Sequence, residues 1–245
     1  MEALNRLLHF FERLQPFFVH HKHCYLCRQG ASSLICDVCC IDTALSHFPV
    51  PGFDLMHQPS IIENIVTPYF HHFYALGEYD NILKSLINQL KFGNKPLAAQ
   101  VLAHFFVQFV YPKISQLNDA PEALIPIPLS AWRYSKRGYN QSLLLAEAIG
   151  QLIEIPVVEG LFRNRHTSAQ SALDREHRLD NLHNAFSLKT NIPFEHIAII
   201  DDVVTTGATI NSACKSLVET YPDLKISVWS MAVTPAVKRT AKNGS

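Results

Sequence analysis

The sequence has no net charge, little glycine and no long apolar run. Lysine plus arginine and aspartate plus glutamate both number 21, so the overall charge neither favours nor excludes a polyanionic partner. Only nine glycines occur, and neither G-x-x-x-x-G-K-[ST] nor G-x-G-x-x-G is present. No stretch offers the roughly twenty apolar residues of a transmembrane helix. Any nucleotide or nucleic-acid site must therefore come from local clusters of side chains.

The sequence does have enough apolar residues for a core, because 48% of the chain is hydrophobic and 17% is charged. Within residues 1–19, Leu4, Leu7, Leu8 and Phe11 recur at helical spacing among acidic and basic side chains. This pattern predicts an amphipathic helix packed on its own domain. A membrane-surface helix is less favoured, because the polar face is acidic as well as basic. We see no secretory signal and expect a cytoplasmic protein.

Cysteines are concentrated near the start of the chain. Cys24, Cys27, Cys36 and Cys39 follow the spacing C-x2-C-x8-C-x2-C. In a chain without a secretory signal, two such pairs predict a structural zinc site rather than disulfides. Cys40 is an alternative to Cys39 as the fourth ligand, whereas His21 and His23 are expected to be bystanders and Cys214 a core residue. We therefore predict a zinc module over residues 1–50 and a second domain over 51–245.

Short β-branched runs alternate with stretches of helical periodicity along the second part of the chain. Strands are predicted in "LIPIP" (124–128), "HIAII" (196–200) and "KISVWSMAV" (225–233). Helices are predicted over 81–90, 97–111, 142–153 and 210–218. This alternation is typical of an α/β fold with a parallel sheet flanked by helices. The polar, arginine-containing segment 163–185 is either a lid over a site or a surface helix.

The stretch "IIDDVVTTGAT" (199–209) places two carboxylates at the end of an apolar strand and a threonine-rich turn before a helix. Ligands of parallel sheets lie beyond the carboxyl ends of strands, where a helix N-terminus attracts phosphate. Asp201 and Asp202 suit two vicinal hydroxyls, and the turn suits a phosphate, so a sugar phosphate would satisfy both halves. The turn is formed by Thr205, Thr206, Gly207, Ala208 and Thr209. The alternatives are a simple helix cap or an unrelated metal site.

A basic and aromatic segment follows the first predicted strand. Trp132, Arg133, Tyr134, Lys136 and Arg137 lie within six residues. The cations suit a pyrophosphate, and cations interleaved with aromatic rings suit stacking on single-stranded bases. The alternatives are a solvated basic turn and, favoured for the neighbouring ring of Tyr139, packing into the core.

The string 199–209 resembles the phosphoribosyl pyrophosphate (PRPP) fingerprint of type I phosphoribosyltransferases. The segments "PIPL" (126–129), "RGYNQ" (137–141) and "LKF" (90–92), the stretch from Arg163 and the cysteine pairs resemble the ComF family, which is associated with natural competence. The resemblance implies a type I phosphoribosyltransferase-like fold with Mg²⁺ beside PRPP. It assigns ribose to Asp201 and Asp202, the 5′-phosphate to 205–209, and pyrophosphate to Pro128, Leu129, Arg133 and Arg137.

Two functions remain open from the sequence. The first is a PRPP-binding ComF-type protein that acts in the uptake of single-stranded DNA. The resemblance then implies a location at the inner face of the cytoplasmic membrane and a helicase-like import ATPase as partner. The second is an active phosphoribosyltransferase that transfers ribose 5-phosphate to an unidentified nitrogenous acceptor. A structural zinc protein with a vestigial site is less favoured, because the loop 201–209 is intact.

Overall fold

A computed structural model describes residues 22–47, 53–62, 68–164 and 185–234. Its centre is a four-stranded sheet in the spatial order β1-β6-β5-β2, with every neighbouring pair parallel. These strands are β1 (His72–Ala75), β2 (Ala123–Pro126), β5 (His196–Val204) and β6 (Lys225–Val233). A separate antiparallel pair consists of β3 (Leu161–Arg163) and β4 (Phe186–Leu188). The predicted α/β class and its parallel sheet are confirmed.

Helices separate the strands and flank the sheet. They are α1 (Asp37–His47), α2 (Pro59–Ile62), α3 (Asn81–Phe92), α4 (Leu97–Phe109), α5 (Tyr111–Gln116), α6 (Ala131–Arg137), α7 (Gln141–Ile153) and α8 (Ala208–Val218). The four predicted helices are confirmed with small shifts at their ends. The second is interrupted at Val110, and Pro112 lies in the first turn of the new helix, where its missing N–H is tolerated.

The sheet buries both of its faces, as the apolar strands predicted. In β5, Ala198 and Ile200 pack on one side with residues of α3, α4 and α7. Ile197 and Ile199 alternate with them and pack on the other side with residues of α8 and β4. The side chains therefore follow the strand period of two, and the functional residues must lie at the ends of the strands or on the helices above them.

The cysteine module packs on the first of these two cores. Cys24, Leu34 and Ile35 are buried in the same apolar cluster as α3 and α4, and α1 lies against both helices. The Tyr25 hydroxyl donates a hydrogen bond of 2.9 Å to Gln89 Oε1 on α3. The division of the chain near residue 50 stays a prediction.

Two predicted segments lie outside the described residues: the amphipathic helix over 1–19 and nearly all of the segment 163–185. Among the residues that the structure does describe, no helix is both long and apolar enough to cross a membrane.

Candidate functional site

The four predicted zinc ligands converge. The sulfur atoms of Cys24, Cys27, Cys36 and Cys39 all lie within 4.8 Å of one another, and those of Cys27 and Cys36 are 3.8 Å apart. Cys40 points elsewhere, because its thiol donates a hydrogen bond of 3.0 Å to Gln108 Oε1 on α4. The cluster could hold a metal ion, and its fourth member is Cys39 rather than Cys40.

Backbone turns around the cysteines direct N–H groups at sulfur. Arg28 has a φ of 65°, and its N–H donates to the carbonyl of Cys24, which closes the first turn. The N–H of Cys36 approaches Cys24 Sγ at 3.4 Å, and that of Cys39 approaches Cys36 Sγ at 3.5 Å. Burial opposes ionisation of Cys24, but the N–H donors lower its pKa to about 6. One thiolate is thus favoured before a metal arrives, and thiolate is the ligand form.

The two carboxylates lie inside β5, which continues past them to Val204, whereas the sequence predicts them at the end of that strand. Asp201 lies opposite Ser230 in the ladder between β5 and β6, which continues to Val204. Its Oδ1 accepts hydrogen bonds from the Ser142 hydroxyl at 3.0 Å and from the Asp202 N–H at 2.9 Å. Asp202 is buried, and the Lys91 ammonium binds its Oδ1 at 2.8 Å. Both acids are therefore held in fixed positions.

The surroundings of Asp201 disfavour the ionised form of its carboxyl group. Burial raises its pKa, and the adjacent charge of Asp202 raises it further, to about 7. The hydrogen bonds from the Asp202 N–H and Ser142, and then the charge of Lys91, oppose this rise but do not cancel it. A carboxylate in this state gains from a further hydrogen-bond donor or cation.

The threonine-rich turn connects β5 to α8. Gly207 is buried, has a φ of 67° and is the N-cap residue of α8, where it has no side chain to donate or accept a capping hydrogen bond. A left-handed conformation at this position favours glycine. Thr205, Thr206 and Ala208 are exposed, and Thr209 is half-buried. The turn therefore offers hydroxyls and helix N–H groups to solvent next to the acidic pair.

The basic and aromatic segment is a short helix, α6, rather than a solvated basic turn. Ser130 caps α6 by accepting from the Arg133 N–H at 3.4 Å, and Gly138, with a φ of 78°, ends it. Trp132 is 69% exposed and Tyr134 is 54% exposed. The Lys136 ammonium lies 5.4 Å from the centre of the Trp132 ring. Pro128 and Leu129, half-buried, connect this helix to β2.

Arg137 joins α6 to the elements beside the acidic pair. Its Nη1 donates a hydrogen bond of 2.8 Å to Gln141 Oε1, in the first turn of α7. Its guanidinium also lies 5.3 Å from the centre of the Phe92 ring, at the end of α3. Tyr139, by contrast, packs against the core, and its hydroxyl donates to the carbonyl of Leu90 at 2.6 Å. The prediction that Tyr139 packs into the core is therefore confirmed. The same prediction is confirmed for Cys214, which is buried.

Sequence reasoning assigned no role at this site to Lys91, Ser142 or Arg163. The Arg163 guanidinium is partly buried, and its Nε has no hydrogen-bond partner among the residues that the structure describes. Burial lowers its pKa, the charge of Arg133 lowers it further, and Asp201 opposes both, so these three charges are neighbours. The family resemblance includes "LKF" (90–92) and Arg163. Nothing in the sequence, however, indicates that Lys91 forms an ion pair with Asp202.

Comparison with known proteins finds relatives that match most of the chain. No protein-family model matches the sequence. The chain is 35% identical to the "Competence protein F" of Haemophilus influenzae over 170 residues, which span 67% of this chain and 74% of that one. It is 28% identical to the "DNA utilization protein YhgH" of Escherichia coli O157:H7 over 88% of this chain and 92% of that one. It is also 32% identical to the "Competence protein ComFC" of Streptococcus pneumoniae over 59% and 61%. The chain belongs to the ComF family.

Proposed function

We propose that the chain binds PRPP and acts in the uptake or processing of single-stranded DNA. One observation carries the first half: the fixed pair of carboxylates, Asp201 and Asp202, lies near the end of β5 and is followed by a threonine-rich turn and by a helix whose N-cap residue is Gly207. The second half, a role in the uptake or processing of DNA, is supported by the names of the relatives, which refer to competence and to DNA utilization. Association with a helicase-like import ATPase at the inner face of the cytoplasmic membrane belongs to the same proposal and follows from the family resemblance alone.

The two halves of the site suit the two ends of a ribose 5-phosphate group. Asp201 already uses one oxygen for Ser142 and a backbone N–H, which fixes the carboxylate and leaves the other oxygen for a ribose hydroxyl. The turn from Thr205 to Thr209 presents N–H groups and hydroxyls, which seat a phosphate at a helix N-terminus. A sugar alone or a phosphate alone would leave one half of this arrangement unused.

The cations around the acidic pair suit the pyrophosphate of PRPP. The family resemblance assigns to the pyrophosphate Arg133, Arg137 and the connection formed by Pro128 and Leu129. Lys91 adds a cation beside Asp202. Mg²⁺ belongs to this proposal as a companion of PRPP. Two carboxylates do not form a closed cage, and Mg²⁺ usually binds through few carboxylates together with water and substrate oxygens.

Asp202→Asn should weaken PRPP binding by about 1.5–3 kcal/mol, the range for hydrogen bonds to a charged group. The asparagine keeps one acceptor oxygen and nearly the same volume but removes the charge. Calorimetric titration of PRPP with Mg²⁺ measures the change, and a melting curve verifies that the variant is folded. Asp223→Asn is the matched control, because Asp223 is exposed beyond the far end of α8. The proposal fails if the wild type does not bind PRPP, or if both folded variants bind it equally well.

The DNA half of the proposal rests on α6. Replacing Arg133, Lys136 and Arg137 together by glutamine should weaken binding of a thymidine oligonucleotide. It should also flatten the dependence of the affinity on salt, because each phosphate contact releases counterions, with a slope of roughly 0.7 per contact for single strands. Fluorescence anisotropy over a series of salt concentrations measures both effects. An unchanged slope would place the DNA site elsewhere on the protein.

Phosphoribosyl transfer is the second candidate. The observation that favours it is the group of cations near the two acids, which would stabilise a departing pyrophosphate as well as a bound one. PRPP binding alone needs the same ligands, so affinity does not separate the candidates. Release of pyrophosphate from PRPP in the presence of a panel of nitrogenous bases does, because only an enzyme would show it.

The four clustered cysteines are proposed to hold a structural zinc ion. Four sulfur atoms at about 2.3 Å from a tetrahedral zinc are about 3.8 Å apart, and the measured separation of Cys27 and Cys36 is 3.8 Å. Four thiol ligands without a carboxylate or an open position are typical of structural rather than catalytic zinc. The zinc would fix the module against α3 and α4.

A further inference from the structure

Phe92 is an exposed aromatic ring at the rim of the candidate site. It is 70% exposed, so most of its apolar surface stays in water and contributes little to folding. It is the last residue of α3, and the Arg137 guanidinium lies over the ring. Since 70% of the residue is open to solvent, much of the ring surface is available to a ligand.

The position of this ring is tied to the acidic pair by its neighbours. Lys91, the residue before it, binds Asp202. Arg137, above the ring, donates to Gln141, and the residue after Gln141 is the serine that donates to Asp201. Two independent links therefore hold Phe92 beside the carboxylates proposed to bind ribose.

The chemistry of the rim narrows the class of ligand. An exposed ring beneath a cation suits a ligand that combines a flat π face with negative charge. Trp132, with Lys136 over its ring, repeats the same combination on α6. An apolar peptide would not use the cations, and the stacked bases of a duplex do not expose their faces. An unpaired nucleobase with its phosphate matches both requirements.

We propose that Phe92 is the stacking platform for an unpaired base of single-stranded DNA, with Arg137 beside a phosphate of the same strand. The inference rests on the proposed binding of single-stranded DNA and specifies where one base lies. That base lies at the mouth of the proposed PRPP site, rather than on a surface remote from it.

The test uses a thymidine oligonucleotide that carries a single 2-aminopurine, whose fluorescence is quenched when the base stacks. Phe92→Leu keeps an apolar side chain but removes the ring, and it should weaken binding about 5- to 100-fold, as expected for one base–aromatic stack. It should also reduce the quenching of 2-aminopurine fluorescence on binding. Phe92→Trp should retain both the affinity and the quenching. Phe53→Leu is the matched control, because Phe53 is 44% exposed and lies beside Asp54 at the opposite ends of the strands.

An abasic oligonucleotide separates stacking from general electrostatic attraction. Wild type and Phe92→Leu should bind an abasic strand with equal affinity, since no base is present to stack. The inference is overturned if Phe92→Leu binds the normal strand as well as the wild type does, or if it loses affinity equally for the abasic strand. If the wild type binds no single-stranded DNA, the proposed DNA function fails and the inference fails with it. If the wild type binds single-stranded DNA but its affinity depends only on Arg133, Lys136 and Arg137, the proposed DNA function stands and the role of Phe92 is disproved.

Discussion

Replacing Cys24 with serine should abolish binding of the proposed zinc ion and lower the free energy of unfolding by several kcal/mol. Cys24 is fully buried and is in contact with the main apolar cluster. Serine is a poor zinc ligand, and structural zinc contributes about 10–16 kcal/mol in small zinc-dependent domains at neutral pH. The apolar contacts of Leu34 and Ile35 should preserve part of the module, so the loss should be smaller here. Elemental analysis and melting curves, with and without a chelator, measure both effects; the wild type should contain about one zinc per chain.

Cys40→Ser is the matched control for this prediction. Cys40 is also buried, but its thiol donates to Gln108 rather than pointing at the cluster. A serine hydroxyl keeps this donor, so the variant should retain its zinc and melt only a little earlier than the wild type. Loss of zinc in Cys40→Ser with retention in Cys39→Ser would show that the fourth ligand is misassigned. A folded wild type free of metal would disprove the zinc site itself.

The elements that could be predicted from the sequence are those with a strong local pattern. The strand around Ile199 and the helix over 81–90 are apolar at the right period, and tertiary structure reinforces that local preference. The cysteine cluster was also predictable, because thiol ligands close together along the chain leave few other structures for the backbone. Local spacing, rather than long-range packing, carries all of this information.

The position of the acidic pair inside β5 was not predictable from local propensity. Aspartate is depleted in strands, and the apolar run in the sequence stops at Ile200, where two acids follow. The strand continues because Val203 and Val204 still pair with Ala232 and Val233 of β6. A neighbouring strand thus overrode the propensity of the two acids and fixed their backbone.

The helical form of α6 had a signal in the sequence that was overlooked. Ser130 precedes the segment and Gly138 follows it, which is the usual arrangement of an N-cap and a left-handed C-terminal residue. Pro126 and Pro128 before it hide this signal, because prolines that cannot donate a hydrogen bond favour an irregular segment. The partners of Lys91 and Arg137 had no comparable signal, because those contacts join segments that are far apart in the sequence.

A network of charges at the amino ends of the strands was also not predictable, and it leads to the last prediction. Asp119, which is buried, lies before β2 and forms an ion pair with Lys225, the first residue of β6. His72 Nε2, at the start of β1, lies 3.4 Å from Asp119 Oδ2, and His72 Nδ1 lies 2.8 Å from Asp54 Oδ2. His196, at the start of β5, lies 3.7 Å from Asp119 Oδ1. One carboxylate therefore connects three strands.

Lys225 is the principal charge partner of Asp119 at neutral pH. Burial lowers the pKa of His196 to about 4, although the charge of Asp119 opposes this change. His196 is therefore neutral near pH 7, and one of its ring nitrogens, Nε2, is 2.8 Å from the Ser227 hydroxyl. Removing Asp119 would leave the Lys225 ammonium and the ring of His72 without their shared acceptor.

Asp119→Ala should accordingly lower the free energy of unfolding by about 1–3 kcal/mol, the usual cost of leaving hydrogen-bonding groups without their partner. The Lys225 side chain is 40% exposed, so solvent screens part of its attraction to Asp119 and the loss should be smaller than for a fully buried ion pair. Asp119→Asn should cost less, because its amide oxygen still accepts a hydrogen bond. Glu159→Ala is the matched control: Glu159 pairs with Lys189 at 3.4 Å, but both side chains are about half exposed, so its loss should cost no more than about 1 kcal/mol. Urea unfolding curves of the three variants and the wild type give the comparison. If Asp119→Ala unfolded at the same urea concentration as Glu159→Ala, the network would be no more than a set of surface contacts, and the amino ends of the strands would be held together by the apolar core alone.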